Sequence, residues 1–197
     1  MTSPRRIGAP DAKNRAVLLD AAEQLMIEEG YAAVTSRRIA TRAGLKPQLV
    51  HYYFRTMDDL FLAVFQRRAE EGVEAQAQAL ASDRPLHALW EFSTDANAVA
   101  LTMEFVALAN HRKAIRAEIA RYAEMFRAIQ IEALTAMDAR QPIGEGYPPA
   151  VLAVLLASLS RMIVMEQVVL GMSGGHAETL DLVKRQLDRI EGPDPVP

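Results

Sequence analysis

Apolar residues return at intervals of three and four along nearly the whole chain, and no useful stretch alternates with the two-residue period of a strand. The pattern predicts an all-α protein. A first helix is predicted over 11–29, with Ala16, Leu18, Leu19, Ala22, Leu25 and Met26 as its apolar stripe and Gly30 ending it in a C-cap position. Thr35 is placed to N-cap a second helix. Pro47 suits the first turn of a third, where its missing N–H costs nothing. A fourth begins near Met57, with Asp58 and Asp59 at the positive end of its dipole, and runs past Gly72 to about residue 81. Pro85 opens a fifth after the break at 82–85, and further helices are predicted near 97–110, 111–139, 149–172 and 176–190. The loops between the last three are QPIGEGYPP (141–149) and Ser173-Gly174-Gly175. Residues 1–11 read as a flexible basic arm, and the tail GPDPVP as disordered.

The most informative stretch is 36–54, SRRIATRAGLKPQLVHYYF. Ile39, Ala40 and Ala43 precede Gly44 at helical spacing, and Leu45, Val50 and Tyr53 fall on the inner face of the next helix. A glycine between two short amphipathic segments lets the chain reverse, and small Ala40 and Ala43 let the helices cross closely. This is the layout of a helix-turn-helix, whose second helix enters the DNA major groove. On the outer face Gln48 is the best base reader, since its amide suits adenine. Lys46 reaches a guanine edge or a phosphate, and Pro47 and Leu49 press on thymine methyls. Thr35, Arg37, Arg38 and Arg42 are candidates for backbone contact, and Arg5 and Arg6 for a minor-groove arm. Tyr53 and Phe54 are expected to pack inward.

The segment and its flanks resemble the TetR family of bacterial transcription regulators over about 12–65. The resemblance rests on Glu29-Gly30-Tyr31 closing helix one and Thr35 opening helix two. It continues with Ile39-Ala40 and Ala43-Gly44, then the cluster His51-Tyr52-Tyr53-Phe54, then Asp58-Asp59-Leu60. It implies that His51 and Tyr52 touch the DNA backbone. The chain departs from the family pattern in three places: His51 replaces the commoner Tyr, Lys46 stands where Ser or Thr often caps the recognition helix, and Met57 stands where a phosphate-touching Lys is common.

Net charge changes the picture only when divided. The chain carries −3 overall, which argues against nucleic acid. Residues 1–56, however, hold nine Lys or Arg against five Asp or Glu, so the basic excess lies with the helix-turn-helix. With no cysteine, disulfides, thiolate catalysis and cysteine-ligated zinc are excluded. No signal-like apolar run follows the basic N-terminus, which fits a cytoplasmic protein. The uncharged stretch from Tyr147 to Ser160 is expected to be a buried helix too short to span a membrane.

Residues 149–172 are apolar almost all round, which a monomer of 197 residues struggles to cover. A homodimer through 149–190 solves that, and the resemblance implies a four-helix bundle of the last two helices with their mates. The resemblance also implies an effector pocket among the middle helices. Large soft side chains there suit a small hydrophobic molecule, and Trp90, Met103, Tyr122, Met125, Phe126, Ile129, Met162, Met165 and Glu166 are its candidate lining. Ordinary core packing is the competing explanation for each of them.

Enzyme readings are poor. The four histidines are scattered, no glycine-rich phosphate loop is present, and His87 with Glu91 makes at most half a metal site. No metal or cofactor is expected. The expected organisation is an arm (1–11), a helix-turn-helix domain (12–56) and a larger helical effector-binding and dimerisation domain (57–192). The expected function is a repressor that binds a palindromic double-stranded DNA operator as a dimer and is released by a small hydrophobic effector, with no membrane partner. The rivals are an activator or constitutive DNA binder without a ligand, and a helical interaction module that has lost DNA binding.

Overall fold

The computed structural model describes residues 13–143 and 146–193. The expected basic arm with Arg5 and Arg6, the first two residues of the predicted helix one, and residues 194–197 of the tail lie outside the described residues. Among the described residues there are nine α-helices and no strand. They are α1 (Lys13–Glu29), α2 (Ser36–Arg42), α3 (Pro47–Tyr53), α4 (Met57–Leu80), α5 (Pro85–Ser93), α6 (Ala96–Ala109), α7 (Lys113–Asp138), α8 (Pro149–Val164) and α9 (His176–Glu191). A single 3-10 turn, Tyr31–Ala33, joins α1 to α2, and a π-helical turn, Met165–Val169, extends α8.

The helices form two compact units. Among the described residues, one takes 13–70 together with Leu101–Ala120, the other Glu71–Ala100 together with those from Arg121 on. The core of the first is Leu18, Leu19, Leu25 and Met26 of α1, Ile39 and Ala40 of α2, Val50 of α3, then Phe54, Leu60 and Val64. Leu101, Phe105 and Leu108 of α6 complete it at helical spacing, with Ile115 of α7. Burying one such side chain fully is worth about 1.5–3 kcal/mol. The predicted stripe of α1 is buried except for Ala16, which is exposed.

In the second unit Leu86, Leu134 and Ala153 pack with Ile131, Met137, Ile143, Leu152, Leu187 and Ile190. The N-terminus of α5 begins with Pro85 and has no side-chain cap from its own N-cap residue, Arg84. Glu191 at the end of α9 supplies one: its carboxylate accepts the N–H groups of Leu86 (2.8 Å) and His87 (3.1 Å). The His87 ring lies between the same carboxylate, 2.7 Å from Nδ1, and Asp188, 3.0 Å from Nε2. Two carboxylates thus fasten the last turn of α9 to the first turn of α5.

The apolar stretch near 149 departs from its expectation twice. It continues through the π turn, so Pro149–Val169 is 21 residues long and, by length and composition only, long and apolar enough to cross a membrane. Nor is it a buried helix within the chain, since only 22% of its most apolar part is buried. Val154, Leu155, Met162, Val168 and Leu170 are each about half exposed, because one chain has too few neighbours to surround this helix.

Candidate nucleic-acid interface

The helix-turn-helix is closed by local hydrogen bonds. Thr35 Oγ1 accepts the Arg38 N–H at 3.3 Å, which caps α2 as its sequence position predicts. At the other end Gly44 adopts φ +65°, and the Leu45 N–H turns back to the Ala40 carbonyl at 2.9 Å. That left-handed step makes the tight turn, and any side chain there carries strain. Pro47 then starts α3. The inner faces of both helices merge into one core, with Ile39, Ala40 and Val50 buried and Leu45, Leu49 and Tyr53 packed against them. Phe54 is buried as well, and the Arg15 guanidinium stands 5.3 Å from its ring centre.

What remains outside is the expected reading face. Lys46, Pro47, Gln48, His51 and Tyr52 are all exposed along α3. Leu49 is half-buried and spends part of its surface on the core. Tyr52 stands edge-on to Tyr53, ring centres 5.0 Å apart, so the inward tyrosine steadies the outward one. Met57 packs against the core, and Thr56 takes over the opening of α4. The Asp59 N–H donates to Thr56 Oγ1 at 3.1 Å while the Thr56 N–H donates to the Asp59 carboxylate at 3.0 Å, a reciprocal cap.

On α2, Arg37 is exposed, but Arg38 and Arg42 meet carboxylates of the last turn of α1. Arg38 lies 2.5 Å from Glu29 and Arg42 2.5 Å from Glu28. The hydrogen bond from Arg42 holds the Glu28 carboxyl below its ordinary range, and that from Arg38 does the same for Glu29. Sequence reading passed over these two acids, because nothing local to α1 announces partners 9 and 14 residues away.

The profile of the bacterial regulatory proteins of the tetR family matches residues 18–64, which span most of α1, all of α2 and α3, and the start of α4. The chain belongs to the TetR family. It is therefore a DNA-binding transcription regulator, and the family is not one of enzymes. Among relatives, the HTH-type transcriptional regulator BetI of Rhizobium meliloti (strain 1021) is 28% identical over 153 residues, covering 72% of this chain and 75% of its own. Among solved structures, a transcriptional regulator from Saccharomonospora viridis in complex with choline has a TM-score of 0.75 at 19% identity, over 89% of this chain and 93% of its own. FadR from Bacillus subtilis in complex with stearoyl-CoA has a TM-score of 0.69 at 18% identity, over 90% and 98%. At such identities the two structures show a shared fold and nothing finer.

The residues expected to line a TetR effector pocket divide between the units: Met103 falls in the first and the other eight in the second. Tyr122 is buried, with the Arg121 guanidinium 4.1 Å from its ring centre. Phe126 stacks on Phe92 at 6.4 Å, and a Cβ placed on Gly72 would meet its Cζ at 3.0 Å, so the glycine makes room for the ring. Beside it lies a buried amide pair that sequence reading missed. Gln76 donates to the Phe126 carbonyl at 3.1 Å and accepts from Gln130 at 3.3 Å. Met125, Ile129 and Met165 are half-buried, and Met162 is 49% exposed. Glu166 is paired with His176 at 2.6 Å, in the π turn. Trp90 instead lines an open groove of about 270 Å³ between α5 and α9, with His87, Glu91, Leu180, Asp181, Lys184 and Leu187.

Proposed function

We propose that this TetR-family chain is a cytoplasmic repressor that binds a palindromic operator as a homodimer and releases it when a small hydrophobic effector binds. The observation that carries the DNA part is the outer face of α3, where Lys46, Pro47, Gln48, His51 and Tyr52 stand exposed above a buried inner face. Gln48, in the first turn, reads adenine by its amide, while Pro47 and the free edge of Leu49 contact thymine methyls. Thr35, Arg37, Arg38, Arg42, His51 and Tyr52 hold the phosphates, and Lys46 a phosphate or a guanine edge.

Dimerisation through 149–190 is supported by the uncovered apolar face of α8 and its π extension. Arg161 and Glu166 fall inside that stretch, a pattern that suits a protein partner better than lipid. A two-fold axis places two α3 helices one DNA turn apart, ~34 Å.

Release by an effector requires a ligand that prefers a non-binding state. The candidate site is the second unit's interior around Tyr122, Met125, Phe126 and Ile129, which Gln76 and Gln130 furnish with buried amides. Structures of the same fold hold ligands as different as choline and stearoyl-CoA, so the fold does not choose the ligand class. α4 runs unbroken from residues of the first unit into the second and is the natural carrier of the change. One observation favours a ligand-free regulator instead: Phe126, one of the expected lining residues, is already stacked on Phe92. Native mass spectrometry of the freshly purified dimer separates the two, since a retained small molecule supports the effector reading.

The DNA reading is tested by selection from a randomised duplex pool, followed by affinity against salt for Arg38→Ala and Arg42→Ala. Each is expected to weaken binding to every sequence and to lower the log–log salt slope by about one unit. Unchanged affinity and slope in both variants removes α2 from the interface.

A further inference from the structure

We propose that Glu104 is a positioning residue for DNA binding: from α6 its carboxylate fixes the corner between α1 and α2, and with it the orientation in which α2 and α3 are presented. The corner is the 3-10 turn Tyr31–Ala33, whose first N–H has no partner within the turn. Its N-cap residue is Gly30, which has no side chain to offer. The acceptor comes from 73 residues away, where Glu104 Oε2 takes the Tyr31 N–H at 2.6 Å in a partly buried setting. The short distance marks a close contact, so what the corner depends on is an acceptor oxygen that reaches it.

Gly30 is shaped to admit that carboxylate. It holds φ +81°, and a Cβ built on it would stand 3.3 Å from Glu104 Oε2. A residue with a side chain is strained there by its backbone and presses on the oxygen as well. The far end of the contact is equally fixed. Leu101, Phe105 and Leu108 of α6 are buried in the first unit's core, and Phe105 meets Phe65 edge-on at 5.2 Å. Glu104 therefore projects from a helix that is anchored on its neighbouring face. From Tyr31 the chain reaches the α2 cap at Thr35 in four residues. Two of these steps are themselves tied, Ala33 N–H to the Gly30 carbonyl and Val34 N–H to the Tyr31 carbonyl, each at 3.1 Å. The hydrogen bond at Tyr31 thus sets the starting point of α2, and α2 shares its core with α3.

The assignment rests on the DNA reading above and separates reach from charge. Glu104→Asp keeps the charge and withdraws the oxygens by about 1.5 Å. Glu104→Gln keeps the reach and an acceptor oxygen but loses the charge. Each full-length variant is measured against the duplex selected by the wild type and a scrambled duplex of the same composition. Glu104→Asp is expected to lower the preference for the selected duplex about tenfold, with an unchanged salt slope, while Glu104→Gln stays within about threefold of wild type. Electrostatics alone leaves the preference unchanged in both variants, because Glu104→Asp keeps the charge and removing a carboxylate near DNA favours binding to both duplexes alike. Wild-type preference in Glu104→Asp, or equal loss in both variants, overturns the assignment while leaving the DNA reading intact. A wild-type chain that enriches no sequence from the pool overturns both.

Discussion

Arg38 and Arg42 of α2 are already engaged by Glu29 and Glu28, each pair at 2.5 Å. If phosphate is to take these guanidinium groups, it competes with two carboxylates that sit in the same protein. Replacing both acids, Glu28→Gln with Glu29→Gln, is expected to raise affinity for every duplex about threefold, since exposed pairs are individually weak. Because both carboxyls are held below their ordinary value, they remain charged well into mild acid. Their pairing is present above the ordinary carboxyl range and is lost only as pH falls through the lowered native value. The gain is therefore expected to be the same at about pH 8 and about pH 6 in fluorescence anisotropy; a gain that shrinks at the lower pH shows that the acids already titrate there. Gln48 makes the complementary prediction. Gln48→Ala relaxes base preference at one position per half-site, by ~1–3 kcal/mol, with the salt slope nearly unchanged. An unaltered selected motif removes it from the reading face.

At the scale of elements, several helices are ended by chemistry visible within a few residues of each end. Thr35 caps α2, Gly44 makes the turn, Pro47 opens α3, and the Thr56–Asp59 exchange opens α4. α5 is different, because its cap is Glu191, about a hundred residues away. Losing a cap costs about 1 kcal/mol, and leaving His87 Nδ1 without its carboxylate partner adds to it. Glu191→Ala is accordingly expected to lower unfolding stability by about 1–3 kcal/mol in urea titration. A change within a few tenths of a kcal/mol means that Asp188 alone holds the two helices together. Spacing sets His87 and Glu91 on one helix face, but Asp188 and Glu191 are the carboxylates that bond the His87 ring.

For the molecule as a whole, the largest open question of packing is α8. Leu155 is 54% exposed in the single chain, so a charge there costs it little. Within a two-fold interface the same charge is buried beside its own copy, which is strongly unfavourable. Leu155→Glu is expected to convert a dimer into a folded monomer by sedimentation velocity, with helical content kept and operator affinity lost. A wild-type chain that already sediments as a monomer at micromolar concentration counts against the dimer.

The sequence by itself determined the helical class, nearly every helix boundary and the TetR-type helix-turn-helix, because those depend on periodicity, caps and turns that act within a few residues. It also showed which side of α3 faces outward, since one buried stripe dictates the other. Only the tertiary structure decided that Leu101–Ala120 joins α1–α3 in one unit. It alone brought Glu104 to Tyr31, Glu28 and Glu29 to the arginines, and Gln76 to Gln130. Those contacts join residues brought together by chain reversals and by packing between helices. An apolar stripe says that a helix must be covered, but not which helix covers it, and a polar side chain carries no local mark of the partner that folding will bring.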